Sequence, residues 1–253
     1  MRGATIDRLR LRRKDLRRPF PRGFAARVEG RRVLAVERRG KYLLVRLSSG
    51  DTVLMHLGMS GSFRVSRRTS ARAPDGRHDH VIFELSNGAV VIFNDPRRFG
   101  VMDLIGPSGA DRGVEALGPE PLGSAFDATT LAAACAGKRA ALKVTLLDQR
   151  TVAGVGNIYA SEALHRARLS PLRRSATIAT AAGRPRAQAV RLAGAIKGVL
   201  RDAIARRERP YREGRFAVYG REGERCLRRG CGGTIKRITQ AGRSTFYCPR
   251  CQR

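Results

Sequence analysis

Residues 226–251 read CLRRGCGGTIKRITQAGRSTFYCPRC, and four of the chain's five cysteines fall in this stretch. They are Cys226, Cys231, Cys248 and Cys251, spaced Cys-x4-Cys, sixteen residues, Cys-x2-Cys. Four thiolates on two short knuckles suit a tetrahedral zinc ion, and a reducing cytosol disfavours two disulfides as the alternative. Because protein ligands fill all four positions, one structural Zn2+ is expected, with no open site for a substrate. Between the knuckles, TIKRITQAGRSTFYC predicts two strands joined by QAGR. That hairpin puts Gln240 to Ser244 at an exposed tip and makes Arg243 a cation suited to a phosphate. One solvated arginine among many would look the same in the tail alone. The fifth cysteine, Cys135, sits in an apolar helical pattern and reads as a small buried residue.

The cationic tail belongs to a cationic chain. Lys and Arg total 51 against 21 Asp and Glu, a formal net charge of +30. Such a field draws polyanions, and the phosphate backbone of nucleic acid is the commonest one. A genome rich in Arg codons could inflate the count, but it would normally add acidic residues as well. With 42% hydrophobic and 28% charged residues over 253 positions, the chain can bury one large core or two modest ones. It holds no apolar run of membrane-spanning length and no apolar signal core near its start, so a cytoplasmic, nucleoid-associated protein with no membrane partner is expected.

Upstream of the tail the hydrophobic period changes once. Residues 1 to about 105 are strand-like: KYLLVRLSSGDTVLMHL and HVIFELSNGAVVIFND each place two apolar runs around a turn. Asn87-Gly88 predicts a type I′ turn, and Val81, Phe83 and Leu85 predict one buried face. RRTSARAPDGRHD between the hairpins reads as a loop. From about Leu131 the apolar spacing becomes three and four, the helical signature, in LAAACAGKRAALKVTLLDQ and NIYASEALHRA. A third helix is expected over RPRAQAVRLAGAIKGVLRDAIARR, with Pro185 in its first turn.

Three further segments carry chemistry-bearing residues. In TVAGVGNIYASEAL a helix ending near Gln149 gives way to a glycine turn and a new helix opening at about Asn157, whose free N–H groups favour an anion. An ordinary helix corner would need the same glycines. NDPRRFG, residues 94–100, sets Arg97 and Arg98 beside Phe99, a ring that can stack on or wedge between bases. MHLGMSG, residues 55–61, is a second strand-to-loop exit, with His56 and Met59.

RRGKYLLVRL, MHLGMSGSFRV, HDHVIFELSNG, NDPRRFG, LGPEPL, VAGVGNIYASEAL, VYGREGE and GRSTFYCPRCQR occur in one order across nearly the whole chain. In that order they resemble the formamidopyrimidine-DNA glycosylase family, and the MHLGMSGS and DPRRFG segments resemble this branch more than its endonuclease VIII relatives. The resemblance implies an α+β multidomain protein: an N-terminal β-sandwich (1–117), a helix-two-turns-helix DNA-binding domain (118–222) and a C-terminal zinc-finger hairpin (223–253). It implies a monomeric base-excision repair enzyme on double-stranded DNA containing damaged bases or abasic sites. Oxidised purines such as 8-oxoguanine and formamidopyrimidines are removed, and the strand is cut at the abasic site through a Schiff base. Lys41 resembles the lysine that contacts the lesion sugar, and Arg243 the finger arginine that grips the lesion phosphates and is linked to the final elimination. His78, Arg97 and Lys138 match DNA-contact positions, and Asn157 the phosphate ligand of the helix corner. Met59, Arg97 and Phe99 resemble the triad that fills the gap left by a flipped nucleotide.

Two departures qualify that likeness. The family's mature chain begins Pro-Glu, the proline amine being the nucleophile and the glutamate an acid catalyst. This chain begins MRGATIDRLRL and resembles the family only after its first helix. The expectation is a start assigned at an internal Met, with about fifteen residues of helix upstream. AIARRERPYREGRFAVYG, from Ala203, is also about a dozen residues shorter than the family's loop over the flipped base, which bears on the choice of lesion. Two other classes stay open at this level: a non-catalytic relative that binds damaged or abasic DNA, and a zinc-ribbon RNA-binding protein.

Overall fold

Alternation of apolar and polar residues from Ile6 to Ile105 produces eight strands: β1 (Ile6–Leu11), β2 (Val33–Arg39), β3 (Tyr42–Leu47), β4 (Thr52–His56), β5 (Ser62–Arg67), β6 (Asp79–Leu85), β7 (Ala89–Asn94) and β8 (Val101–Ile105). The computed structural model describes residues 1–67, 76–206 and 216–253, and these fall into two compact units, Met1–Glu115 and Ala116–Arg253. Most of the expected loop after Arg67, and residues 207–215 of the shortened loop, lie outside the described residues.

The first unit is a sandwich of two antiparallel sheets, ordered β1-β6-β7-β5 and β2-β3-β4-β8. Their inner faces meet in one core that includes Ile6, Val33, Val45, Val53, Met55, Val81, Phe83, Leu85, Val91 and Phe93. Val81, Phe83 and Leu85 thus point inward as the alternation predicts. On the opposite face Ile82, Val90 and Ile92 are buried too. Arg10 pairs in register with Ile82 and Arg64 with Ile92, so their aliphatic stems lie beside this patch. A short helix, α1 (Phe24–Val28), packs on β1 through Phe24 and Val28, and α2 (Arg112–Glu115) ends the unit. The hairpin turn at Asn87-Gly88 is not type I′. Only Gly88 has a positive φ, 76°, and its N–H donates to the Leu85 carbonyl, which makes a three-residue loop with glycine in the left-handed position.

In the second unit α3 (Ala128–Cys135), α4 (Leu142–Leu147), α5 (Asn157–Ala167) and α6 (Ala187–Ala205) enclose a core of Leu131, Leu142, Leu146, Leu164, Leu192 and Ile196, with Cys135 fully buried among them. The helical period from Leu131 to Gln149 is split into α3 and α4 by a tight turn: Ala136 is extended at ψ 136°, Gly137 follows at φ 69°, and the Lys138 N–H donates to the Cys135 carbonyl. Pro185 lies outside α6, in an isolated bridge to Ala179. The chain ends in the hairpin β9 (Lys236–Gln240) and β10 (Arg243–Tyr247). Among the described residues no helix is long and apolar enough to cross a membrane.

Candidate nucleic-acid interface and metal centre

In the first unit two loops interlock around one carboxylate. Asp95 is fully buried; its Oδ1 accepts from Ser60 Oγ at 2.6 Å and its Oδ2 from the Gly100 N–H at 2.7 Å. Ser60 Oγ in turn accepts from the Arg97 N–H at 3.2 Å. The Asp95 N–H donates to the His78 carbonyl, so the turn carrying His78, just ahead of β6, is held by the same residue. Gly58 closes the arrangement: at φ 64°, a Cβ there would sit 2.4 Å from the Phe99 carbonyl carbon. The consequence is that Met59 stays 71% and Phe99 39% exposed on a rigid base. The Arg97 guanidinium lies 4.8 Å from the Phe99 ring centre. Met59 on one loop, and Arg97 and Phe99 on the other, are thereby carried on backbones that are locked together.

Lys41 sits in the tight turn between β2 and β3, where Arg39 pairs with Tyr42 and Gly40 has φ 57°. The Tyr42 ring lies 5.1 Å from that of His56. Burial, then the charges of Lys41 and Arg17, hold the His56 imidazole below its ordinary pKa. Its Nδ1 accepts from the Gly58 N–H at 2.9 Å, so this ring supports the Met59 loop as a neutral acceptor.

In the second unit α5 opens directly after the glycine corner. Gly154 has φ 77°, and Gln149 stitches the bend: its Oε1 accepts from the Gly154 N–H, and its Nε2 donates to the Leu147 and Val155 carbonyls. Among the described residues no side chain caps the new helix. Asn157, its first residue, donates from Nδ2 to the Ser244 carbonyl at 2.9 Å. Its Oδ1 accepts from Lys143 Nζ at 2.6 Å. Lys143 also donates to Thr245 Oγ1 at 2.6 Å and to the Ser244 carbonyl at 3.2 Å. A fully buried ammonium is tolerated here because all three of its protons find acceptors. Burial, then Arg243, bring its pKa down to about 8. Lys138 stands on the α3–α4 connection, its Nζ 3.4 Å from Thr151 Oγ1.

The finger hairpin turns through Ala241 and Gly242, at φ 47° and 71°, a two-residue turn between the paired Gln240 and Arg243. Arg243 is exposed as expected. Gln240 is not at the tip: it is 9% exposed, and its Nε2 donates to the Pro171 carbonyl. The strand that presents Arg243 is fixed to the start of α5 through Ser244 and Asn157, and to α4 through Thr245 and Lys143.

The Sγ atoms of Cys226, Cys231, Cys248 and Cys251 lie within 4.8 Å of one another, and none is in a disulfide. The Cys226–Cys251 and Cys231–Cys248 separations are 3.9 and 3.6 Å. A tetrahedron with zinc–sulfur bonds of 2.3 Å has edges of about 3.8 Å, so the donor set fits zinc. Gly233 is obligatory beside it, since a Cβ there would meet Cys248 Sγ at 2.8 Å. The Gly233 N–H draws the Cys231 thiol down to about 7, whereas burial pushes Cys251 up to about 12. Metal capture must therefore release protons.

Sequence reasoning passed over Asp95, Ser60, Gln149 and Lys143. The one usable signal was Lys143, a lone cation at a buried position of an apolar helix.

The description "Formamidopyrimidine-DNA glycosylase N-terminal domain" matches residues 1–102, "Formamidopyrimidine-DNA glycosylase H2TH domain" matches 117–212, and "Zinc finger found in FPG and IleRS" matches 223–253. A formamidopyrimidine-DNA glycosylase of Rhodopseudomonas palustris (strain HaA2) is 53% identical over all of this chain and 94% of its own length. One from Bradyrhizobium sp. (strain BTAi1) is 52% identical over the same shares. Among solved structures, the MutM (Fpg) protein of Thermus thermophilus aligns over 100% of this chain and 92% of its own, with 36% identity and a TM-score of 0.81. The Lactococcus lactis enzyme, non-covalently bound to DNA containing an abasic site, aligns over 100% and 94%, with 27% identity and a TM-score of 0.84.

Proposed function

Because the chain belongs to the formamidopyrimidine-DNA glycosylase family, we propose that it is a base-excision repair enzyme, a glycosylase for oxidised purines with abasic-site lyase activity. Its partner is double-stranded DNA carrying a damaged base or an abasic site, which it engages as a monomer at the nucleoid. The three-part division at residues 117 and 222 belongs to the same proposal. The observation that carries it is the constellation of Lys143, Asn157, Ser244 and Thr245, which fastens the strand bearing Arg243 beside an uncapped helix start.

Each unit has its own task. Arg243 and Asn157, with Lys138, grip phosphates around the lesion, and His78 and Arg97 hold the backbone from the sandwich loops. The damaged nucleotide is extruded, because its glycosidic bond cannot be reached inside a stacked duplex. Met59, Phe99 and Arg97 then occupy the vacated stack, and the braced base beneath them keeps these side chains from collapsing back. Lys41 serves the lesion sugar during base loss. Strand cleavage at the abasic sugar proceeds by elimination, and Arg243 neutralises the departing phosphate. Zinc held by Cys226, Cys231, Cys248 and Cys251 supplies rigidity to the finger and takes no part in bond making.

Competition binding tests this. A duplex with one tetrahydrofuran abasic analogue should compete at least tenfold better than the undamaged duplex or a structured RNA of equal length. Equal competition by all three would overturn the assignment.

A further inference from the structure

His165 is a buried titratable group that none of these steps uses. It lies on α5, eight residues beyond Asn157, or about 12 Å along the helix at 1.5 Å per residue. Its side of α5 meets the finger at two points. The ring Nε2 is 3.3 Å from Cys226 Sγ, with the residue 6% exposed. The His165 carbonyl accepts from Arg228 Nη2 at 2.6 Å, and Arg228 lies in the loop that joins Cys226 to Cys231.

The chemistry of the contact is asymmetric. A zinc-bound thiolate can only accept, so a short contact from an imidazole nitrogen to its sulfur is favourable when that nitrogen carries the proton. Four thiolates around one Zn2+ leave a net charge of about −2, here largely buried. An N–H donor on one sulfur spreads that charge and makes the ligand harder to protonate and detach. A ring that merely filled space would gain nothing from pointing Nε2 at the sulfur.

We propose that His165 is a positioning residue of the zinc centre: its Nε2–H donates to the Cys226 thiolate and ties the metal to the helix that begins with Asn157. The finger is then pinned to α5 at both levels, at the hairpin through Asn157 and Ser244, and at the metal through His165 and Arg228. The inference concerns retention of the metal and is independent of the DNA chemistry.

The test uses the zinc-loaded full chain with His165→Phe, which keeps a ring without a donor, and His165→Gln, whose amide can restore one. Zinc release to excess chelator is timed, and the sulfur-to-metal charge-transfer band is recorded after Co(II) exchange. The Phe variant should release zinc about tenfold faster or more, with the band moved to lower energy, and the Gln variant should recover much of both. A folded Phe variant with unchanged release and an unmoved band would overturn the proposal. If the Phe variant does not fold, the Gln variant decides. A wild-type band and slow release support the donor role, and a shifted band with fast release overturns it.

Discussion

At the scale of the residue, the second unit depends on where two cations stand. Arg243 is exposed, while Lys143 is enclosed directly beneath the strand that carries it. Arg243→Ala should weaken binding to abasic duplex and flatten its dependence on salt by roughly one log–log unit for each phosphate no longer neutralised; titrations at several salt concentrations measure this, and an unchanged slope would show that the side chain does not touch the backbone. Lys143 makes a different prediction, because its folded pKa is about 8 against an ordinary 10.5. Between those values the unfolded chain holds a proton that the folded chain lacks, so folding stability contributed at this site rises as pH climbs from about 8 to 10.5. Urea unfolding across that range should show the rise in the zinc-loaded protein and a flatter profile in Lys143→Met. Equal slopes would mean that the lysine is not desolvated as described.

At the scale of the element, function rests on loops made stiff by short-range chemistry. Gly58 must take a positive φ and pass close against the Phe99 backbone, so Gly58→Ala brings both strain and a clash. The strain alone is of order 1–3 kcal/mol. The expected result is a lower melting temperature together with a larger loss on damaged duplex than on undamaged duplex, because only the flipped state needs Met59 and Phe99 in place. Proportional losses on both substrates would count against a void-filling role. The α5 helix shows the same economy. Glu162 accepts from the backbone N–H groups of Ala217, Val218 and Tyr219 at 2.8–2.9 Å, and so fixes the chain beyond residue 215 to the helix that opens at Asn157. Replacing that carboxylate by Gln leaves one of its two oxygens unable to accept. A stability loss of roughly 1.5–3 kcal/mol is expected, near the value of hydrogen bonds to a charged group, and denaturant titration would measure it.

At the scale of the whole molecule, the small finger core has only a few apolar residues, Val218, Ile235 and Phe246, around the cysteines. A cluster of that size cannot offset the entropy of ordering its chain without the metal. Stripping zinc with chelator, or Cys248→Ser, should therefore abolish amide-exchange protection in β9 and β10 and reduce affinity for abasic DNA. Protection in the sandwich strands should survive, since that unit has its own core. Full protection of the hairpin in zinc-free protein would contradict a structural role for the metal.

Much of this protein was legible as text because the signals are local. Cysteine spacing marks a metal knuckle, alternation marks a half-buried strand, and apolar residues three and four apart mark a helix. The Cys-x4-Cys and Cys-x2-Cys pairs, the inward Val81, Phe83 and Leu85, and the opening of α5 at Asn157 all follow from such patterns. At two places where the text misled, a tight turn at a glycine was at issue. The turn through Ala136 and Gly137 split one helical period into two helices, and a positive φ at Gly88 alone replaced the expected type I′ turn. What only the tertiary structure decided is which polar groups meet across long sequence distances. Lys143 reaches Thr245 across 102 residues, Asp95 reaches Ser60 across 35, and His165 reaches Cys226 across 61. No period or spacing records such pairs. A buried polar group needs a partner from wherever the fold can bring one, and that choice is made by packing, after the elements already exist.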